Sequence, residues 1–89
     1  MEKDVKLTNN DLLNNINTFD MDILEKNIEN LELDIILSTQ KLTTDFIINF
    51  ILNEKYQKTT KEKEIDFYTI LNDQPHISKE ELLNKINLA

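Results

Sequence analysis

The sequence predicts an all-α fold, a compact bundle of four to five short helices, and three observations carry that reading. Glycine is absent from all 89 residues, whereas tight hairpin turns of types I′ and II′ want Gly or Asn at positive φ. Apolar residues recur at the 3.6-residue period over several stretches. A hydroxyl or acidic residue opens most of these stretches with an acid three positions on, the side-chain signature of a helix N-terminus.

Leu7 and Thr8 open the first element: Thr8 is its N-cap, Asp11 completes a capping box, Leu7 staples onto Leu12, and the helix runs to about Ile16. A longer helix is predicted from about Asp22 to Thr39. Asp22 and Glu25 form its capping pair, and Leu24, Ile28, Leu31 and Ile35 lie on one face. The third helix, about Thr43 to Glu54, carries Phe46, Ile47, Ile48, Phe50, Ile51 and Leu52 around most of its circumference and so must lie at the centre. From Lys55 to Lys63 the chain is polar and lysine-rich, the longest expected loop. Thr59 and Glu62 cap a fourth helix over about Thr60 to Asn72. Ile65 to Leu71 also suits a strand, but no partner strand is evident, which favours helix. Pro75 ends that element, and Ser78 with Glu81 caps a fifth helix over about Lys79 to Leu88.

The length implies one domain over residues 1–89, with the first six or seven residues and the 55–60 loop expected to be mobile. Absence of cysteine excludes disulfides, thiolate metal sites and cysteine nucleophiles. The longest apolar stretch, Phe46 to Leu52, is broken by Asn49 and falls short of the roughly 20 residues a membrane span needs. Met1 to Asn10 is too polar for a secretory signal. The expectation is a small soluble, cytoplasmic (intracellular) domain. With no Arg or Trp, one Pro, one Ala and abundant Asn, Ile and Lys, the composition is that of an AT-rich genome: a low-GC bacterium, a phage or virus, or an AT-rich eukaryote.

Three helix starts align without gaps at a spacing of 35 residues: Leu7–Ile16, Leu42–Ile51 and Ile77–Ile86. Each has an aliphatic residue, Thr or Ser, aliphatics at the sixth and seventh places, Asn at the eighth (Asn14, Asn49, Asn84) and Ile at the tenth. Ahead of the second and third copies, Leu31, Leu33, Ile36, Gln40 and Leu42 match Ile65, Phe67, Ile70, Gln74 and Ile77, with one inserted residue. The pattern admits two and a half copies of a roughly 35-residue helical hairpin repeat. Any capped helix with a hydrophobic staple gives the same outline, so both readings stay open. The stretch Leu-Glu-Leu-Asp-Ile-Ile-Leu-Ser-Thr-Gln-Lys-Leu-Thr-Thr-Asp-Phe-Ile, residues 31–47, resembles the short helical repeats of some large DNA-virus proteins, in which Asp-Trp-x-x-Ile-Ser leads to Gln-x-Leu-Ser-Glu-Asp-Phe-Ile. The tryptophan position is Leu33 or Phe67 here, and the spacer is longer. That resemblance implies packed helical hairpins and no chemistry.

Catalysis is not expected. His76 is the only histidine, Ser78 nearby is assigned as an N-cap, and no acid is placed to orient the imidazole. Asp20, Asp22 and Glu25 look like the start of a calcium loop, but the turn glycine and the distal bidentate Glu are missing. Without glycine there is no phosphate-cradling loop. The sequence therefore predicts no enzyme activity, no metal and no cofactor.

Charge is more informative. Through Gln40 the chain holds nine acids against three lysines, and the remainder eight against seven, so most of the net −7 lies in the first 40 residues. On a continuous helix Asp22, Glu25, Glu29 and Glu32 form one acidic ridge beside the apolar stripe. The ridge is the predicted partner-binding site of a non-enzymatic protein–protein interaction module, docking a protein with a basic surface. Direct nucleic-acid binding is not expected, since Arg is missing and the Lys55, Lys58, Lys61, Lys63 cluster is interleaved with Glu54, Glu62 and Glu64. The alternative is an inhibitor from a phage or other mobile element that mimics nucleic-acid charge on a defence nuclease or DNA-binding protein. A third reading is a fragment of a helical repeat array. Self-association as a homo-oligomer is a further expectation, through apolar surface on the third helix and at Phe67, Tyr68 and Ile70.

Overall fold

Short polar side chains set where the helices begin. The computed structural model describes residues 6–88, and the N-terminal residues expected to be mobile lie outside these up to position 5. Helix α1 spans Asn9–Asn14; the Thr8 hydroxyl accepts from the Asp11 N–H and the Asp11 carboxylate accepts from the Thr8 N–H, so the predicted capping box is complete. Leu7 and Leu12 are both buried.

The predicted single helix from Asp22 to Thr39 is instead three pieces: α2 (Met21–Lys26), a 3₁₀ turn (Ile28–Asn30) and α3 (Leu33–Thr39). Its N-cap is Asp20, which accepts from the Ile23 N–H, and Asp22 sits in the first turn. The break has a packing cause. Leu31 and Leu33 are both buried, yet residues two apart on a helix point about 200° from each other. An extended Leu31–Glu32 pair, with ψ of 150° and 131°, lets both enter the core.

Side chains bond main-chain groups around the break and tie it to distant parts of the chain. The buried Asn27 accepts from the Leu7 N–H at 2.9 Å and donates to the Ile23 carbonyl at 2.9 Å. The Lys58 ammonium donates to the Ile28 and Leu31 carbonyls at 3.2 and 3.0 Å. The Glu62 carboxylate accepts from the Leu33 N–H at 2.6 Å, and Asn9 accepts from the Glu32 N–H at 2.9 Å.

Helix α4 (Thr44–Phe46), capped by Thr43, runs into a π-helical turn over Ile47–Ile51, closed by an i→i+5 bond from the Leu52 N–H to the Ile47 carbonyl at 2.9 Å. Phe46, Ile47 and Ile51 are buried, so this segment is central as expected. The Phe46, Phe50 and Tyr56 rings follow one another at centroid spacings of 4.8 and 5.0 Å.

Hydrogen bonds run through the expected 55–60 loop. A 3₁₀ turn covers Glu54–Tyr56, and the Lys58 and Thr59 N–H groups both donate to Glu62. Thr59 and Glu62 form their capping box around α5 (Thr60–Lys63), but the predicted helix to Asn72 stops there. Asp66 accepts from the Thr69 N–H and restarts the chain as α6 (Phe67–Asp73), so this stretch is helix rather than strand. Helix α7 spans Lys79–Leu88 as predicted, and Ser78 accepts from the Glu81 N–H.

Seven α-helical segments and no strand occur among the described residues, an all-α fold. Helix α3 packs between α1 and α6, while the π-helical segment packs on α3 and α4 packs on α7. The resulting body measures 40 × 26 × 23 Å. No helix in it is long and apolar enough to cross a membrane. Of the apolar surface expected for self-association, Ile70 is buried, Phe67 half-buried and only Tyr68 is well exposed, at 83%.

Candidate functional site

Two buried glutamines fix the turn edge of the molecule. Gln40, just past the end of α3, donates to the Leu12 and Asn15 carbonyls at the end of α1, at 3.4 and 2.9 Å. Its carbonyl oxygen accepts from the Thr18 and Phe19 N–H groups, both at 3.0 Å. Gln74, just past α6, repeats this one helix further on: it donates to the Leu37 and Gln40 carbonyls at 2.7 and 2.6 Å and accepts from the Leu42 N–H at 2.8 Å. Each side chain therefore bonds carbonyls at the C-terminal end of its neighbour in the row α1, α3, α6.

The same locking brings three interhelical turns side by side. Phe19–Met21, Lys41–Thr44 and His76–Ile77, with Glu81, line a cleft of about 470 Å³. Phe19, Met21, Leu42 and Ile77 supply its apolar wall, and Asp20 and Glu81 stand on its rim. The Thr44 hydroxyl donates to Glu81, tying the start of α4 to α7. A second cleft of about 330 Å³ lies behind Lys41 and His76, lined also by Ile16, Asn17 and Gln74. Asn17 adopts a positive φ of 54°, which Asn tolerates well, and its N–H donates to the Thr39 carbonyl at 2.8 Å.

His76 lies beside Pro75 in the turn, where its Nε2 is 2.7 Å from the Leu42 carbonyl. A carbonyl only accepts, so Nε2 carries the proton. Ser78 is occupied as the cap of α7. Asp20 likewise caps α2, in place of the calcium-loop role its spacing suggested. Among the described residues no three His, Asp or Glu side chains converge as a metal set would.

The four acids of the predicted ridge do not share one helix. Asp22 and Glu25 lie on α2, Glu29 in the 3₁₀ turn and Glu32 in the extended break, because the burial of Leu31 and Leu33 interrupts the helix that would have aligned them. All four are exposed. Among the described residues the ion pairs are Lys61–Asp34 at 3.0 Å and Lys85–Asp45 at 3.2 Å, and neither uses a ridge residue. The Asp34 hydrogen bond and charge raise the Lys61 pKa above its ordinary value, with a smaller contribution from the Glu32 charge. Hydrogen bonds from the Thr69 N–H and then its hydroxyl lower that of Asp66.

Sequence reasoning missed the cleft and the buried polar side chains that shape it. The pairing of Gln40 with Gln74 was visible in the alignment of the two hairpins, and it was the available signal. No family model, curated protein or solved structure matches the chain.

Proposed function

We propose that this protein works by binding another protein, one with a basic surface, through its acidic side. The observation that supports the reading is the exposure of Asp22, Glu25, Glu29 and Glu32, none of them in an ion pair among the described residues. Charges left free in this way raise the rate of encounter with a cationic surface, and the effect falls with salt. The test is affinity capture with the wild type and with a variant in which Asp22, Glu25, Glu29 and Glu32 are all replaced by Lys, each over a salt series. A partner held by the wild type at low salt and lost from the variant supports the reading. Equal recovery and equal salt dependence contradict it. If the captured partner binds DNA and this protein competes with that DNA, the inhibitor alternative is the better statement of the function.

A second reading is favoured by the matching bonds of Gln40 and Gln74, each of which clamps the helix before it. In this reading the chain is a segment of a helical array, in line with its resemblance to viral hairpin repeats. The local outline of the 35-residue alignment recurs: Thr8, Thr43 and Ser78 all cap, and Leu12, Ile47 and Leu82 are all buried. The register differs, since α1 stands in the row of α3 and α6 rather than with α4 and α7. An array segment melts gradually without its neighbours; one sharp thermal transition of the isolated chain counts against it.

A further inference from the structure

We infer that the cleft along the interhelical turns receives a single large apolar side chain from a basic segment of the partner, an inference that rests on the acidic-surface reading above. A volume of about 470 Å³ falls in the range of roughly 300 to 1,000 Å³ that binding pockets occupy. Phe19, Met21, Leu42 and Ile77 give it apolar walls from three different turns. The rim supplies the charge. Asp20 uses one oxygen to cap α2 and Glu81 one to accept from Thr44, and neither carboxylate is in an ion pair among the described residues. Each keeps an oxygen for a donor outside the chain. Asp22 and Glu25 follow Asp20 on α2 and are exposed. Lys41 and His76 also line the cleft, and His76 Nε2 is already bonded to the Leu42 carbonyl.

An apolar slot with Asp20 and Glu81 in its lining fits a segment that carries Lys or Arg around one aromatic or aliphatic residue. A second copy of this chain fits poorly, because each copy carries a net charge of −7 and like charges repel across an interface.

The test uses the full chain, methyl-labelled for NMR, titrated with three capped pentapeptides: Lys-Lys-Phe-Lys-Lys, Lys-Lys-Ser-Lys-Lys and Glu-Glu-Phe-Glu-Glu. The basic phenylalanine peptide is expected to shift the methyls of Met21, Leu42 and Ile77 saturably, at roughly millimolar affinity for a ligand of this size. The serine peptide should bind roughly tenfold more weakly, as loss of one buried apolar group implies, and the acidic peptide should give no saturable shift. Glu81→Gln, at an exposed position, keeps a carbonyl oxygen for the Thr44 hydroxyl and should weaken the phenylalanine peptide by removing the charge. Equal binding of the phenylalanine and serine peptides overturns the inference. So do shifts centred on Leu13 or Ile16, or no saturation with any peptide. The variant with Lys at the four ridge positions separates the two readings. If it keeps the preference for phenylalanine over serine, the cleft stands even where the acidic-surface reading fails. If charge reversal abolishes partner capture but the wild type shows no such preference, the acidic-surface reading stands and the cleft does not.

Discussion

The side-chain nitrogen of Gln74 lies 2.6 Å from the main-chain oxygen of Gln40, so one buried glutamine closes the helix end at which the other sits. Gln40 does the same for α1. Three helices are thereby held in a row by amides with carbonyl and N–H partners on both sides. Replacing either glutamine by leucine keeps much of the volume and removes every one of these bonds. Buried carbonyls and N–H groups are then left without partners, and each substitution should cost about 2–4 kcal/mol. Urea denaturation of Gln40→Leu and Gln74→Leu checks this. Losses below about 1 kcal/mol would show that the amides only fill space.

Glu62 is the second such element. Its carboxylate is buried and accepts three main-chain N–H groups, from Leu33, Lys58 and Thr59. Glu62→Gln keeps the shape, removes the charge and presents an NH₂ group to donors. It should destabilise by about 2–3 kcal/mol, since hydrogen bonds to a charged group are the stronger kind. Lys61→Met removes an exposed ion pair with Asp34 and should leave the denaturation midpoint close to that of the wild type. Chemical denaturation of the two variants in one buffer compares them directly.

Asp66 predicts a pH dependence. Its pKa is lowered in the folded state, from the ordinary 3.8, first by the Thr69 N–H and then by the Thr69 hydroxyl. A depressed carboxylate contributes stability above its unfolded pKa and loses it as pH falls through the folded value. The wild type should therefore lose melting temperature more steeply than Asp66→Asn between about pH 4 and pH 2, with the two curves converging at the acid end. Parallel curves across that range would remove the assignment. The raised pKa of Lys61 has the opposite sign: its contribution fades only as pH rises beyond the ordinary 10.5.

The interruption between α2 and α3 is a further point of test. Asn27→Ala leaves the Leu7 N–H without its acceptor, at an expected cost of about 1–3 kcal/mol. Backbone ¹³C shifts of the wild type should be non-helical at Leu31 and Glu32 and helical on either side. A continuous helical signature from Asp22 to Thr39 would restore the single-helix reading and the aligned ridge with it.

The parts of the fold that sequence reasoning reached are those that local chemistry decides. The caps at Thr8, Thr59 and Ser78 depend on residues three positions away, and all three accept as their spacing predicts. Helix ends within the longer predicted helices are decided from far away in the chain. Asn27 answers to Leu7, and Lys58 and Glu62 answer to main-chain groups 27 to 30 residues off. Leu24, Ile28 and Leu31 of the expected 3.6-residue stripe are buried and Ile35 half-buried, but they do not share one helix: the alternation of Leu31 with Leu33 competed with it, and burial of both won. The acidic residues were legible as exposed. Their shared ridge depended on a helix that the packing breaks, and the cleft depends on turns that no local pattern brings together.

Side-chain amide exchange is the most direct test of whether the two glutamines organise the molecule. In ¹H–¹⁵N spectra taken during transfer to deuterated solvent, the Gln40 and Gln74 NH₂ protons should exchange roughly a hundredfold more slowly than those of the exposed Asn72. Exchange at the rate of Asn72 would mean that these amides are not clamped, and the aligned turns and the cleft they line would lose their basis.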